Sequence, residues 1–312
     1  MGSDQRIVRA ARVSFARDKV SDELRDKKLI RYLFKHKHAS PFEHNIIALR
    51  VERDYWINVL NMIDNPTVQI YYAGNYMWLN LRSFINIYNI LDRDIIEFLN
   101  ERFPTTVSIV KKKGEISDEE LEKIPYTRDQ KYVKERRETS SGWVGLVDKL
   151  ELGTEMDYYT FIVECPLFVA RQWHRHRFGS YNEVSRRYTS WDIKFYIPSY
   201  LRRQAENNKQ ASVDLPVEEP YNSEFLERIK VFIKEIKDLY EDMISHNVAK
   251  EIARGVLPQF MITRYYWTVP RISLDNFISL RTHEGAQKEI RELAEAIVDM
   301  VGYRGTDRKN VL

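Results

Sequence analysis

The densest group of polar and basic side chains in the sequence lies between residues 171 and 188. It combines guanidinium, imidazole, amide, hydroxyl and carboxylate groups on Arg171, Gln172, Arg175, His176, Arg177, Ser180, Asn182, Glu183, Ser185 and Arg187. Guanidiniums placed beside hydroxyl and amide groups are suited to bind phosphate and the hydrogen-bonding edge of a pyrimidine. The residue types therefore predict an anion or nucleotide site. They leave open the alternative of a solvated basic face at a helix end.

A strand and a helix must position this cluster. Residues 158–163 are aromatic and β-branched and predict a strand. A helix is expected to follow Pro166 and to end near Gly179. A path from strand to helix to loop places polar groups at one edge of a sheet, where ligand sites tend to lie.

Periodic patterns predict the remaining elements. Helices are expected at 5–15, 21–37, 54–104, 223–245, near 248–255, 272–281 and 284–301, and a half-buried strand at 47–51. The helix over 223–245 has the clearest apolar face, with apolar residues spaced three or four apart. Residues 111–142 carry alternating charges and predict a solvated, mobile segment.

Composition excludes several classes of protein. The 312 residues carry a net charge of +3, too balanced for a nucleic-acid binder driven by a basic tail, so we expect no nucleic-acid partner. Cys165 is the single cysteine, which excludes an internal disulfide and a cysteine metal cage. His38 and His44 have no third residue at ligand spacing, so no metal is predicted. The opening residues lack an apolar signal core, and no apolar run reaches the roughly 18 residues of a membrane span. We expect a cytoplasmic protein.

The sequence Arg175-His176-Arg177, followed by seven residues and Ser185, resembles the signature of the flavin-dependent thymidylate synthases, the ThyX family. The similarity extends, in the correct order, over residues 1–50 and 159–301. The further segments that carry it are 7–14, 38–44, 166–173, 182–188, 253–258, 266–269, 276–281 and 286–287. An ordered set of this length is far more specific than a lone Arg-His-Arg.

The resemblance implies an α/β fold of the α+β type, with a central, mostly antiparallel sheet flanked by helices. It implies one catalytic domain over 1–312, in which 51–158 is a helical and charged insertion. The family is a methyltransferase group that converts dUMP to dTMP with methylenetetrahydrofolate as carbon donor and FAD reduced by NADPH. It also implies a homotetramer with active sites at subunit interfaces.

The resemblance also assigns roles to residues. Those expected to hold dUMP are Gln172, Arg175, Glu183, Ser185, Arg187, Arg254 and Arg281. Those expected to contact FAD are His38, Ser40, Glu43, Arg175, His176, Arg177, Glu183, Arg271 and Asn276. Arg281 is expected to be catalytic, because it would lie beside the uracil and favour the form ionised at N3. The resemblance assigns no contact residues to NADPH or to the folate.

The chain departs from the family at three places. Where the family usually carries Asn-x-Arg, this chain has Pro270-Arg271-Ile272, and Arg271 is expected to substitute from one position over. A family histidine is replaced by Gly285, with His283 nearby. The family's opening strand has no counterpart before Gly2, which leaves open a start upstream of Met1 or a chain that does without that strand.

Two alternatives remain open from the sequence. The same chemistry would serve a flavin- and folate-dependent methylase acting on uracil in RNA. A non-catalytic module that binds nucleotide or RNA phosphate would explain the arginine-rich loop together with the altered segment at Pro270 to Ile272.

Overall fold

The computed structural model describes residues 1–16, 22–50, 52–206 and 212–305. Residues 21 and 51, which the sequence analysis includes in a helix and a strand, lie outside these ranges. Within them, no helix combines the length and apolar character needed to cross a membrane.

The first part of the chain is mainly helical and contains a small sheet. Its elements are α1 (Asp4–Val13), α2 (Glu23–Lys35), a 3₁₀ helix (Ser40–His44), β1 (Ile46–Leu49), α3 (Arg53–Asn61), β2 (Ile70–Ala73), β3 (Tyr76–Asn80), α4 (Leu81–Ile87), α5 (Arg93–Arg102), α6 (Pro104–Lys111) and α7 (Asp118–Lys123). Strands β1, β3 and β2 form an antiparallel three-stranded sheet in that order. Ile47, Leu49, Met77 and Leu79 join the surrounding helices in one core cluster. Ile46, Ala73 and Trp78 pack instead with Met156 and Tyr158 in a second cluster.

The second part contains the principal sheet. Its elements are β4 (Glu135–Glu138), β5 (Trp143–Leu150), β6 (Tyr158–Pro166), α8 (Leu167–Trp173), β7 (Ser180–Glu183), β8 (Arg202–Gln204), β9 (Ser212–Pro216), α9 (Tyr221–Ser245), α10 (Lys250–Ala253), β10 (Ile262–Pro270), α11 (Arg271–Arg281) and α12 (Lys288–Val301). The principal sheet has the order β4-β5-β6-β10-β7, and all of its pairs are antiparallel. The expected fold class is therefore confirmed.

Side-chain alternation along β6 and β10 separates two buried faces of the principal sheet. Phe161 and Trp267 face α8, α11 and α12 and belong to the core cluster on that side. Ile162 and Tyr266 face the opposite side, where they pack with Ala10 of α1. Because both faces are covered, β6 and β10 are fixed in position and can hold the loops at their ends.

The expected continuous helical region over 54–104 was wrong in part, because β2 and β3 form a hairpin within it. Gly74, in the turn between them, has a φ of +59°, a conformation that glycine adopts at little cost. The strands on either side are rich in aromatic residues, including Tyr71 and Trp78, which favour strands. This is a local signal that the helical interpretation overlooked.

The charged segment 111–142 and the insertion 51–158 are also less uniform than expected. Glu135–Glu138 forms edge strand β4, where charged side chains remain in water while the backbone pairs with β5. Strand β5 lies wholly within 51–158 but pairs with β6 inside the principal sheet. Residues 51–158 therefore contain strands beside the expected helices and charged stretch, and the boundary of this region as an insertion stays a prediction.

The helix over 223–245 was predicted correctly as α9, but much of its apolar face is not buried. Ile233 and Tyr240 are buried, whereas Phe225, Phe232 and Leu239 are 40%, 52% and 46% exposed. An apolar helix face that is exposed to solvent in a single copy of the chain is typical of an interaction surface.

Candidate functional site

The turn between α8 and β7 carries Arg175, His176 and Arg177. Helix α8 ends at Trp173, so the expected end near Gly179 was wrong and the three residues lie beyond the helix. A Cβ atom at Gly179 would lie 3.0 Å from Trp267 Nε1 and 3.1 Å from the Thr268 carbonyl oxygen. Glycine therefore lets the turn approach β10 closely. In this turn, Arg175 and Arg177 are exposed and His176 is buried.

Arg281, the last residue of α11, connects this turn to α8. Its Nε donates to Nε2 of His176 at 3.1 Å, and its Nη2 donates to the Gln172 carbonyl oxygen at 3.2 Å. That carbonyl belongs to the last turn of α8, where a cation is favourable. Three of the predicted site residues are thus joined by direct contacts, although they are up to 109 positions apart in sequence.

The electrostatics of this contact hold His176 in its neutral form. Burial, and then the charge of Arg281, lower the pKa of His176 to about 4. Neutral His176 can therefore accept the Arg281 hydrogen bond at Nε2 near pH 7. Its ring also packs edge-on against Phe277, with centroids 5.0 Å apart. His176 consequently fixes the direction of the Arg281 guanidinium.

The Arg281 guanidinium also lies near a second positive charge, that of Arg175. Burial, and then the charge of Arg175, lower the pKa of its guanidinium. A guanidinium keeps its proton at ordinary pH, so this shift expresses an unfavourable electrostatic environment rather than titration. An anion bound between Arg175 and Arg281 would relieve it.

Gln172 and Glu183 are held by hydrogen bonds from different elements. The Gln172 Nε2 atom donates to Gln287 Oε1 at 2.6 Å, immediately before α12. Glu183 ends β7, and its Oε1 accepts a hydrogen bond from Thr263 Oγ1 of β10 at 2.6 Å. Both side chains are partly exposed, so polar atoms remain available to a ligand.

Ser185, Arg187 and Arg254 lie beyond the Glu183 end of β7, whereas the Arg175 turn precedes its Ser180 end. The Ser185 amide donates to the Ser14 carbonyl oxygen at 2.9 Å, and its hydroxyl accepts from the Arg187 amide at 3.3 Å. Lys250 Nζ donates to the Tyr188 carbonyl oxygen at 3.3 Å, which ties this turn to α10, directly before Arg254. In one copy of the chain, the expected dUMP residues therefore form two groups, near the two ends of β7.

The segment from His38 to His44 packs against the sheet through His44. Its Nδ1 accepts from Thr268 Oγ1 at 2.8 Å, and its Nε2 donates to Asn182 Oδ1 at 3.1 Å. His38 and Ser40 are exposed beside this anchor. No direct contact joins them to the Arg281 group within the described residues.

His44 makes folding stability depend on pH. Burial lowers the pKa of His44 to about 4, so the folded protein excludes a proton that the unfolded chain binds below about pH 6.5. Stability is therefore full above pH 6.5 and falls as the pH drops towards 4. We expect His44 to account for about 2 kcal/mol of lost unfolding free energy at pH 5, measured by urea unfolding. His44→Gln should show a smaller loss between pH 7 and pH 5, and an equal loss in both proteins would contradict this.

Arg271 does not join the site. Its side chain is 2% exposed and ion-pairs with Asp275 at 2.9 Å. It also donates to Tyr159 Oη at 3.1 Å and to the Gly302 carbonyl oxygen at 2.8 Å. Arg271 begins α11 and Arg281 ends it, so their Cα atoms are about 15 Å apart. The expected FAD contact at Arg271 was wrong, because the core takes up its guanidinium. Asn276 remains exposed on the same helix.

Two contacts to the predicted site segments come from residues that the sequence analysis did not select. Arg82 Nη1 donates to Glu43 Oε1. The Tyr71 ring packs edge-on against Phe178, with centroids 5.1 Å apart, directly after the Arg175 turn. Both Tyr71 and Arg82 lie in 51–158, outside the resemblance, so no local signal linked them to the site.

Cys165 is excluded as a nucleophile by its surroundings. It is fully buried in β6, and burial raises the pKa of its thiol above the ordinary value. The thiolate form that nucleophilic attack requires is therefore scarce. We expect Cys165→Ala to retain activity and to lose about 1 kcal/mol of stability, measured by turnover and urea unfolding. A folded variant without activity would contradict this.

The antiparallel principal sheet, flanked by helices and bordered by arginine-bearing turns at β7, defines an α+β protein. The family described as thymidylate synthase complementing protein matches residues 1–55 and 125–303. A protein of Aquifex aeolicus (strain VF5) named flavin-dependent thymidylate synthase is 64% identical over 313 residues, covering 100% of this chain and 98% of that protein. The chain belongs to this family of flavin-dependent thymidylate synthases.

Other similar proteins match shorter stretches. A Thermosipho africanus protein with the same name is 41% identical over 142 residues, covering 46% of this chain and 62% of that protein. The crystal structure of PolB, a UMP/dUMP methylase from Streptomyces cacaoi bound with 5-Br UMP, has a TM-score of 0.43 at 20% identity. That match covers 96% of this chain and 83% of the PolB chain, and a likeness this low carries no further argument.

Proposed function

We propose that this protein converts dUMP to dTMP, with methylenetetrahydrofolate as carbon donor and NADPH as reductant of bound FAD. The observation that carries the proposal is a set of guanidiniums without a carboxylate partner among the described residues. They belong to Arg175, Arg177, Arg187, Arg254 and Arg281. Elsewhere most arginines form ion pairs, for example Arg6, Arg202 and Arg264. Unpaired guanidiniums at turns are suited to ligands that carry phosphate.

The residues present also fit FAD. The cofactor carries a pyrophosphate, and Arg175 and Arg177 offer exposed guanidiniums on one turn. His38, Ser40, Glu183 and Asn276 supply further polar groups to the proposed FAD contacts. When bound, FAD supplies the reducing equivalents that it takes from NADPH.

The chain's own residues bind and polarise the nucleotide in this proposal. Gln172 and Arg281 lie at the uracil, while Ser185, Arg187 and Arg254 hold the phosphate end. Arg281 stays charged, and it donates only two hydrogen bonds within the described residues, which leaves further N–H groups for the base. It stabilises negative charge on the uracil ring and so raises electron density at C5. His176 acts as a positioning residue for Arg281.

The two groups near the two ends of β7 support active sites shared between subunits of a homotetramer. Helix α9 offers a surface for such an assembly through Phe225, Phe232 and Leu239. We expect Phe232→Asp to give a smaller species in sedimentation velocity and to lose turnover, because a buried unpaired carboxylate opposes association. Lys234→Gln, on the same helix, is the matched control. An unchanged assembly in Phe232→Asp would remove α9 from the interface.

The proposal is tested by the visible absorption spectrum of the desalted protein, before and after addition of FAD. We expect flavin to remain bound and its spectrum to change on adding dUMP but not deoxyuridine, which lacks the phosphate. Failure to retain flavin at any FAD concentration would favour a phosphate-binding module instead. A competition of dUMP with uracil-containing RNA separates the nucleotide from the RNA substrate. Location in the cytoplasm stays a prediction.

A further inference from the structure

A groove of about 910 Å³ lies between the C-terminal ends of α2 and α6 and one side of α4. Its floor is apolar and aromatic, and includes Phe34, Phe42 and Ile85. Its volume falls within the range of pockets that bind small molecules. Helices α4 and α6 lie in residues 56–124, which the family match leaves out, so this groove is built partly from a segment outside that match.

The rim of the groove is strongly basic. Among its cations, Lys35 pairs with Glu115 at 2.8 Å, and Arg82 pairs with Glu43. Lys37, Lys111 and Lys113 also line it, and none of them has a carboxylate partner within the described ranges. Three uncompensated ammonium groups around an apolar floor suit a ligand that has an anionic part and an aromatic part.

The backbone places two of these lysines where glycine is normally preferred. Lys37 and Lys113 have φ angles of +56° and +52° and follow the ends of α2 and α6. Each helix closes in the same way: the His38 amide donates to the Leu33 carbonyl oxygen at 2.9 Å, and the Gly114 amide donates to Ile109 at 2.8 Å. Glycine adopts this left-handed conformation at lower cost. Helix capping therefore explains the backbone but not the choice of lysine.

The two helix ends are also held close together. A Cβ atom on Gly114 would lie 2.9 Å from Lys35 Cγ and 3.3 Å from the Phe34 ring. Asp4 of α1 anchors the other end of α6, because its carboxylate accepts the amides of Thr105 and Thr106 at 3.2 and 3.1 Å. The backbone positions of Lys37 and Lys113 are therefore held by packing at both helix ends.

The groove adjoins the segment that the proposed function assigns to FAD. Ala39 and Phe42 line it and flank Ser40 in the chain. Arg82 lines it as well and donates to Glu43, a proposed FAD contact. A ligand anchored by the lysines could therefore extend towards the flavin.

We infer that this groove binds the anionic end of a co-substrate whose aromatic end reaches the flavin. The inference rests on the proposed function, which supplies two co-substrates with this chemistry. One is NADPH, through its phosphates, and the other is methylenetetrahydrofolate carrying a chain of glutamates. Lys37, Lys111 and Lys113 bind the phosphate or carboxylate groups, and the apolar floor covers the adjoining part of the ligand.

The test is calorimetric titration of the flavin-loaded protein with NADP⁺, NAD⁺, tetrahydrofolate and its pentaglutamate. The variant is Lys37→Gly with Lys113→Gly, because glycine suits both backbone positions and should leave the melting temperature unchanged or higher. The control is Lys123→Gln with Lys234→Gln, which removes the same charge at exposed lysines away from the groove.

We expect the groove variant to bind one of the two more anionic ligands about tenfold more weakly, with less salt dependence. Loss confined to NADP⁺ relative to NAD⁺ identifies the phosphate, and loss confined to the pentaglutamate relative to tetrahydrofolate identifies the carboxylates. Equal binding by variant and wild type, equal loss in the control, or no binding of either ligand by the wild type would overturn the inference. Turnover of the wild type is measured separately, so failure of the proposed function is recognised independently of this result.

Discussion

Replacing Arg281 with lysine lowers kcat by about 10²-fold and changes the Kd of dUMP by less than about fivefold. Lysine keeps the positive charge and so retains most of the attraction for the nucleotide. It cannot reproduce the planar guanidinium that contacts His176 Nε2 and the Gln172 carbonyl oxygen at once. The loss therefore falls on the step in which charge develops on the uracil ring.

Steady-state kinetics and equilibrium dUMP binding measure the two effects separately. Arg171→Lys, on the exposed surface of α8, is the matched control and should match wild type in both. If Arg281→Lys lost binding and turnover equally, Arg281 would contribute only ground-state affinity.

Replacing Arg175 with alanine weakens dUMP binding about 10- to 100-fold and releases flavin during desalting. One charge-assisted contact to phosphate contributes about 1.5–3 kcal/mol, and Arg175 is assigned to both ligands. The same change removes the like charge that opposes Arg281. The melting temperature without ligand should therefore stay level or rise, while the increase caused by dUMP becomes smaller.

A ligand-free melting temperature that stays level or rises, together with a smaller dUMP-induced increase, distinguishes loss of a ligand contact from damage to the fold. Arg171→Ala removes an exposed guanidinium four residues earlier, within α8, and should leave the dUMP-induced shift intact. A lowered ligand-free melting temperature in Arg175→Ala, with an unchanged dUMP-induced shift, would assign Arg175 a structural role instead.

The sequence was most informative where the chemistry is local. The polar cluster at 171–188, β6 and α11 were predicted because their residue types cluster along the chain, although Arg175 to Arg177 were expected inside a helix and lie beyond its end. The contact between Arg281 and His176 spans 105 positions, and the family resemblance, rather than any pattern in the residues, placed the two in one site. The burial of the Arg271 side chain was not predicted, because its partners Tyr159, Asp275 and Gly302 are brought together only by folding.

The region 51–158 shows the same limit on a larger scale. Composition correctly indicated charge and helix, but not that β5 enters the principal sheet or that Tyr71 reaches the Arg175 turn. Strand pairing and ring contacts of this kind depend on neighbours distant in sequence. Periodicity within one segment therefore cannot supply them.

Formation of dTMP from dUMP is the reaction that the proposed function requires. Purified protein is incubated with dUMP, FAD, NADPH and methylenetetrahydrofolate, each omitted in turn, and dTMP is separated by chromatography. We expect dTMP together with tetrahydrofolate, none when the folate is omitted or when the bound flavin has been removed, and none above background from Arg281→Ala. Absence of dTMP with all components saturating, or equal dTMP from wild type and Arg281→Ala, would contradict the proposed function.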